Sequence, residues 1–241
     1  MLLQPLREQV LEANLELSRR GLALLTFGNA SGIDRSRGLV AIKPSGVPYE
    51  RMRASDLPIV DLEGKVVDGE MRPSSDLDTH LALYRFSKDI GGVTHTHSRS
   101  ATVWAQARRP IPCLGTTHAD YFRGEIPVTL PLSDEEVRTE EASTGEAIAR
   151  ALAGRGPLEM PAALVAGHGP FTWGRDAAEA AHHAVILEEV AALALATLGV
   201  NPAAAPIPRD LLDRHFLRKH GAGAFYGQPA ARSETKGNTR C

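Results

Sequence analysis

The chain has few of the features that mark secreted or membrane proteins. Only two cysteines, Cys113 and Cys241, occur in 241 residues, which is too few for a disulfide framework. No uninterrupted apolar run reaches about 18 residues, so the sequence predicts no membrane-spanning helix. The first twenty residues carry charge throughout and have no long apolar stretch, unlike a signal peptide. We therefore expect a cytoplasmic protein with no membrane partner.

The chain also has no excess of charge of either sign. Lys and Arg total 27 against 29 Asp and Glu, and the net charge is -2. A dedicated nucleic-acid binder would show a basic surplus, so we expect no nucleic-acid partner. Aromatic residues are sparse at 5%, but 43% of the chain is hydrophobic and 23% charged, which is typical of a globular protein. We expect one α/β domain over 1–228 and a small, polar, disordered tail over 229–241.

Short apolar segments alternate with helical patterns along the chain. Helical spacing predicts a helix over about 5–19 and a long Ala-rich helix over 175–198, ended by Gly199. Several hairpin-like pairs of strands favour a largely antiparallel or mixed sheet over a parallel one. The other expected elements are two short strands around a turn within 22–34, a hairpin with its turn at Glu63–Gly64, a loop at 116–122, a strand over 126–131 and a helix over 134–153.

Histidines carry the first chemical signal. His95 and His97 are two residues apart in a predicted strand, so their side chains point to the same face. His168 lies between two glycines after an apolar strand, where the chain can turn sharply. Three histidines with an open fourth position are typical of catalytic zinc, but the His-x-His pair could also line a polar sheet edge. Asp76 and His80 share a helix face and could bind metal, although an exposed helical histidine is the commoner case.

Three short polar loops have the composition of an anion-binding site. They combine glycines, hydroxyl groups and one lysine, which together suit a phosphate group. Each loop alone has an ordinary interpretation, Ser74 as a helix N-cap and Ser45–Gly46 as a turn. Together, and beside a candidate metal site, they favour a sugar phosphate. The loop residues are Gly28, Asn29, Lys43, Pro44, Ser45, Gly46, Ser74 and Ser75.

Acid–base candidates lie further along the chain. Asp120 follows Thr117 in a polar segment, and it could carry a proton or simply form a turn. His215 lies near the end of the last predicted helix, where contact with the helix dipole is the ordinary interpretation. Tyr226 lies past that helix and would by itself support no function.

Most of the chain resembles a known family. The segments VLEANLELSRRGLALLTFGNASGIDR, IKPSGVPY, PSSDLDTHLALYR, VTHTHSRSATVWAQA, GTTHADYF, GHGPFTWG, AVILEEVA and LRKHGAGAFYGQ together are similar to sugar-phosphate epimerases of the class II aldolase/epimerase family. The likeness runs from about residue 4 to 228. It implies the adducin-head fold, a three-layer α/β/α sandwich around a central, largely antiparallel sheet. It also implies a homotetramer with active sites between subunits.

The resemblance assigns roles to residues. It implies a divalent metal, most commonly zinc, and epimerisation at C4 of L-ribulose 5-phosphate. The C3–C4 bond would break, the glycolaldehyde phosphate would rotate, and the bond would form again on the other face. The matching residues are His95, His97, His168 and Asp76 at the metal, Asp120 and Tyr226 as proton carriers, and Asn29, Lys43, Ser45, Gly46, Ser74, Ser75, Thr117, His215 and Arg218 for the substrate and its phosphate.

Alternatives within and outside the family stay open. A sister pentose-phosphate epimerase or a class II sugar-phosphate aldolase would share these loops, and an adducin-like binding module would share the fold. Related aldolases carry Glu where this chain has Asp76, which favours an epimerase. Either Glu140 or Glu141 could fill a further acidic position of the family, because the chain is about one residue shorter there.

Overall fold

The computed structural model describes residues 1–221 and 223–224, and its centre is a seven-stranded sheet. Every neighbouring pair of strands is antiparallel, as the hairpin-like sequence pattern predicted. The predicted turn at Glu63–Gly64 joins β3 to β4, and Gly64 has a positive φ of 86°. In the order β4-β3-β2-β1-β5-β7-β6, the strands are β1 (Asn29–Asp34), β2 (Leu39–Ile42), β3 (Ile59–Asp61), β4 (Val66–Asp68), β5 (Gly92–His95), β6 (Ala162–Leu164) and β7 (Pro170–Gly174).

Helices cover both faces of this sheet. Side chains alternate along β2, so Ala41 packs in one buried cluster with Val10 while Val40 packs in another with Leu81. Val10 belongs to the first helix and Leu81 to the second, which confirms the three-layer α/β/α arrangement. The helices are α1 (Gln4–Arg19), α2 (Leu77–Phe86), α3 (Arg99–Ala107), α4 (Thr116–Ala119), α5 (Glu140–Ala151), α6 (Ala177–Val200) and α7 (Arg209–His220).

The longest helix, α6, continues past its predicted end. Gly199 lies inside it, and Asn201 is the first extended residue, with φ at −137° and ψ at 97°. Pro202 follows, and proline disfavours the helical conformation in the residue before it, so proline and not glycine ends the helix. By length and a mean hydropathy of 1.7, α6 is apolar enough to cross a membrane. Its buried Leu187 and Val190 belong to the core cluster that contains the sheet residues Val93 and Trp173, and its buried Ala177 and Ala181 belong to the cluster that contains Val10.

Three local predictions were wrong. Residues 22–27 form turns and no strand, and Leu25 there has a positive φ of 55°. The expected strand at 126–131 makes only isolated bridges, from Ile126 to Ile111 and from Val128 to Leu164. The expected loop at 116–122 begins as the short helix α4. Apolar side chains at 22–27 and 126–131 satisfied the strand pattern, but their backbones lack a continuous neighbouring strand with which to pair.

Candidate metal centre and active site

Three histidines converge at one end of the sheet. His95 is the last residue of β5, His97 follows it, and His168 lies in the turn before β7, where Gly167 has a positive φ of 78°. The Nε2 atoms of His95 and His97 are 3.0 Å apart. One nitrogen from each of the three side chains lies within 4.8 Å of the others. Zinc–nitrogen bonds are about 2.0–2.1 Å long, so one divalent ion could reach all three after small adjustments.

The most buried of these imidazoles, His95, is held in one orientation. Its Nδ1 is 3.0 Å from the carbonyl oxygen of Pro170, and its ring stacks on Phe171 with centroids 4.2 Å apart. If Nδ1 donates to that carbonyl, Nε2 is left unprotonated and free to bind a metal. Burial lowers the pKa of His95 to about 3, and it also lowers the pKa of His97. Both groups are therefore neutral near pH 7, as metal ligation requires.

Asp76 lies in the same cavity, beside these imidazoles. The amide Nδ2 of Asn29 donates to its Oδ2 at 2.5 Å and to the hydroxyl of Ser74 at 2.9 Å. Burial alone would raise the pKa of Asp76, but the neighbouring His95 and the Asn29 hydrogen bond lower it on balance. Asp76 precedes α2, yet its carboxylate does not cap that helix. Among the described residues, the group of possible metal ligands that lie within 4.8 Å of one another consists of the three histidines and does not include Asp76. A ligand role for Asp76 therefore stays a prediction.

The predicted phosphate loops line this cavity as well. It measures about 430 Å³, and Lys43 reaches it although that side chain is only 2% exposed. The lysine Nζ lies 3.3 Å from the carbonyl oxygen of Thr26 and 3.4 Å from that of Pro44. No carboxylate among the described residues pairs with it, and burial lowers its pKa. An uncompensated cation in a polar cavity is suited to an anion. The other predicted phosphate-site residues in the lining are Asn29, Ser45, Gly46, Ser74 and Ser75.

Two acidic residues add to the cavity wall, and one buried tyrosine outside the lining contacts that wall. Glu140 and Glu141, at the start of α5, both line the cavity, so the choice between them stays open. Sequence reasoning missed Tyr49 altogether. This residue is 2% exposed, and its hydroxyl contacts the Phe27 and Gly28 carbonyl oxygens. It ends the segment IKPSGVPY, but nothing in that segment's local pattern indicated a role for it.

Asp120 lies in a different part of the molecule. Its carboxylate is within 3.0 Å of His215 Nδ1 and of Arg218 Nη2, and 3.5 Å from Lys219 Nζ. Burial would raise the pKa of Asp120, but the hydrogen bonds from His215 and Arg218 lower it on balance. This cluster does not line the histidine cavity, and Thr117 lines another groove, beside α6. The predicted Tyr226 lies outside the described residues.

His80 corrects one expectation. We expected an exposed helical histidine, but His80 is fully buried, and its Nδ1 lies 2.7 Å from the Ser31 hydroxyl. That hydroxyl is also 2.7 Å from the Tyr84 hydroxyl. Burial lowers the pKa of His80 to about 4, so this network is neutral at pH 7. The helix face that carries His80 packs against the sheet, which spacing within one helix could not reveal.

Fold and cavity together define an α/β protein with a three-histidine site of the kind that holds a divalent metal. The chain belongs to the Class II Aldolase and Adducin N-terminal domain family, whose model matches residues 8–195. The resemblance inferred from the sequence is thereby confirmed.

Similar proteins point the same way. Over 227 residues the chain is 56% identical to a Salmonella paratyphi B protein called L-ribulose-5-phosphate 4-epimerase UlaF, covering 94% of this chain and all of that one. A Salmonella typhi protein of the same name is 55% identical over the same coverage. Among solved structures, an L-fuculose 1-phosphate aldolase matches with a TM-score of 0.75 and 25% identity, over 88% of this chain and 94% of that one. YgbL from Klebsiella pneumoniae, described as a putative aldolase/epimerase/decarboxylase, matches with a TM-score of 0.69 and 29% identity, over 89% and 99%.

Proposed function

We propose that this chain epimerises L-ribulose 5-phosphate to D-xylulose 5-phosphate at C4, by cleavage and re-formation of the C3–C4 bond. The observation that carries the proposal is the 56% identity to a protein named for this reaction, over all of that protein's length. The cavity adds chemical support, because it combines candidate metal ligands with a lysine that pairs with no carboxylate of the described residues.

The donor set fits a divalent cation. Two Nε2 atoms 3.0 Å apart would repel each other unless a proton or a cation lay between them. The Nδ1 of His168 is buried and has no hydrogen-bond partner among the described residues. We assign His95, His97 and His168 as the ligands of zinc, with Asp76 beside them. When bound, the ion supplies a Lewis acid that stabilises negative charge on substrate oxygen atoms.

The phosphate end of the substrate has its own partners. Lys43 supplies the positive charge, and the hydroxyls of Ser45, Ser74 and Ser75 supply hydrogen bonds. Gly46 has a positive φ of 68°, and a Cβ at this position would meet no atom within 4 Å. These residues would keep the two-carbon fragment tethered while its aldehyde group turns over. Asn29 would meanwhile hold the Asp76 carboxylate in place.

Proton transfer at the C4 oxygen requires a group on each face. We assign Asp120 to one face on the family resemblance, and its lowered pKa keeps it a carboxylate, the form that can accept a proton. Tyr226 is assigned to the other face on the family resemblance. His215 and Arg218 orient Asp120, and Thr117 lies in the same segment.

The separation of Asp120 from the histidine cavity supports an assembly. If Asp120 acts on the substrate, a second copy of the chain must bring it to the cavity. We therefore propose a cytoplasmic homotetramer with active sites shared between neighbouring subunits, active in arabinose breakdown or in a related pentose pathway.

One alternative is a class II sugar-phosphate aldolase, favoured by the structural likeness to an L-fuculose 1-phosphate aldolase. A non-catalytic adducin-like module is less consistent with this chain, because the three histidines are present and close together.

A substrate comparison tests the proposal. Purified zinc-loaded protein would be assayed with L-ribulose 5-phosphate, L-xylulose 5-phosphate and L-fuculose 1-phosphate. We expect turnover to be fastest with L-ribulose 5-phosphate and to give D-xylulose 5-phosphate. Preferred cleavage of L-fuculose 1-phosphate would indicate the aldolase. Absence of turnover together with absence of bound metal would indicate the binding module.

A further inference from the structure

Tyr49 is buried beneath the cavity and contacts two parts of its wall. The residue lies in a short 3-10 turn, Tyr49–Arg51, that follows the lysine loop. Its side chain is among the largest fully buried ones, at 2% exposure. A buried tyrosine hydroxyl needs a hydrogen-bond partner, and the identity of that partner shows which part of the structure the residue can hold in place.

The hydroxyl contacts the loop that precedes β1. It lies 2.8 Å from the carbonyl oxygen of Phe27 and 2.9 Å from that of Gly28. Gly28 has a positive φ of 74°, and a Cβ there would come within 2.9 Å of the His95 carbonyl oxygen. The loop is thus pressed between Tyr49 and the metal-site strand. The next residue is Asn29, whose amide contacts Asp76 and Ser74.

The ring contacts the lysine. Lys43 Nζ lies 4.9 Å from the centroid of the Tyr49 ring, within the range of a cation–π interaction. The other contacts of this ammonium group are two carbonyl oxygens at 3.3 and 3.4 Å, which are long for charge-assisted hydrogen bonds. The aromatic face therefore stabilises a buried cation that no described carboxylate neutralises, and it does so without consuming the charge needed for an anion.

We propose that Tyr49 is a positioning residue for the phosphate cradle: its ring holds the Lys43 ammonium toward the cavity, and its hydroxyl fixes the Phe27–Gly28 turn. This inference rests on the proposed function, since it assumes that the cavity takes a phosphate group. Tyr49 does not line the cavity, and its contacts are with Phe27, Gly28 and Lys43, so it would act through these residues.

Two substitutions separate the roles of the ring and the hydroxyl. Tyr49→Phe keeps the ring and removes the hydroxyl, whereas Tyr49→Leu removes both. For metal-loaded protein we expect Tyr49→Phe to raise the Kd for inorganic phosphate and the sugar-phosphate KM by about three- to tenfold, with a smaller change in kcat. Tyr49→Leu should raise both further, by about tenfold or more. Metal content should stay at the wild-type level in both variants.

The pH dependence of phosphate binding gives a readout that a purely structural role would not change. Phosphate binding weakens at high pH when Lys43 loses its proton. We expect Tyr49→Leu to shift this loss of phosphate binding to lower pH, because the desolvated ammonium loses its contact with the aromatic face. Tyr49→Phe keeps the ring, so the pH at which binding is lost should not change. In Lys43→Met protein there is no ammonium for the ring to stabilise. Tyr49→Leu should therefore lower the phosphate affinity of that protein by about as much as Tyr49→Phe does.

Tyr84→Phe is the matched control. Tyr84 is also buried, and Tyr84→Phe also removes one hydrogen bond, to Ser31, but neither Ser31 nor the Arg35 that packs on the Tyr84 ring lines the cavity. It should lower the unfolding free energy without changing phosphate affinity.

If both Tyr49 variants bind phosphate within about twofold of wild type, or if wild type binds none, the inference is wrong. If wild type binds phosphate and Tyr49→Phe weakens it, but L-ribulose 5-phosphate is not turned over, the proposed reaction fails while this inference stands. If Tyr49→Leu does not fold, Tyr49→Phe decides.

Discussion

The carboxylate of Asp120 lies 3.0 Å from Nδ1 of His215, although 95 residues separate them in the chain. Helix α7 reaches back to the end of α4 to make this contact, and Arg218 on the same helix lies 3.0 Å from both carboxylate oxygens. Asp120 is thus rigidly held, yet it does not line the cavity that contains the three histidines.

Mixed oligomers test whether neighbouring subunits share active sites. Asp120→Asn and His95→Gln should each be inactive alone. Random mixed tetramers should regain about a quarter of wild-type activity, because that fraction of sites takes an intact His95 from one subunit and an intact Asp120 from the next. Activity would be measured after co-refolding of the two variants in equal amounts. A mixture no more active than its parts would place each site within one chain.

Removing one histidine tests the metal site. His97→Ala should lose bound zinc and activity while its circular dichroism spectrum stays unchanged, because two imidazoles hold a divalent ion weakly. His182→Ala is the control, since His182 is exposed on α6 and lies outside the ligand group. Elemental analysis of purified protein gives the zinc content. Wild-type zinc content in His97→Ala would remove this residue from the site.

Removing the charge of Lys43 tests phosphate binding. Lys43→Met should raise the KM for the sugar phosphate by about 10- to 100-fold, the cost of a lost charge-assisted hydrogen bond. Lys65→Met, in the exposed turn between β3 and β4, is a matched control and should leave KM unchanged. Initial rates over a range of substrate concentrations would separate KM from kcat. An unchanged KM in Lys43→Met would mean that the phosphate binds elsewhere.

Buried neutral histidines predict acid sensitivity of the metal-free protein. Burial lowers the pKa of His118 to about 4, and its Nε2 lies 2.8 Å from the Gly124 carbonyl oxygen. The unfolded chain takes up a proton below its ordinary pKa near 6.5 and the folded chain does not, so stability falls as the pH drops from about 6.5 to 4. Each such group contributes up to about 1.4 kcal/mol per pH unit in this range.

His118→Gln tests that slope, because glutamine can keep the hydrogen bond to Gly124 and cannot titrate. Urea unfolding of chelator-treated protein at several pH values should give a slope lower by about one proton than in wild type. Equal slopes in the two proteins would show that His118 titrates alike in the folded and unfolded states.

Several features could be read from the sequence because they depend on local spacing. The two-residue separation of His95 and His97 predicted a shared side, and their imidazoles do lie together although His97 comes just after the end of β5. The glycines around His168 permit its turn. Hairpin-like strand pairs indicated the antiparallel sheet. Predictions from local sequence were wrong where an apolar segment had no strand beside it, as at residues 22–27. They were also wrong about the end of α6, which is set by the proline beyond it and not by Gly199.

By itself the sequence determined the chemistry available to this protein: which imidazoles, hydroxyls and single lysine could act, and the type of sheet that carries them. Only the tertiary structure decided that Lys43 is buried with no carboxylate partner among the described residues. It also decided that His80 faces the core and that α7 holds Asp120 outside the lining of the histidine cavity. These relationships depend on contacts between residues far apart in the chain, and burial and charge compensation are properties of such contacts, not of any one segment.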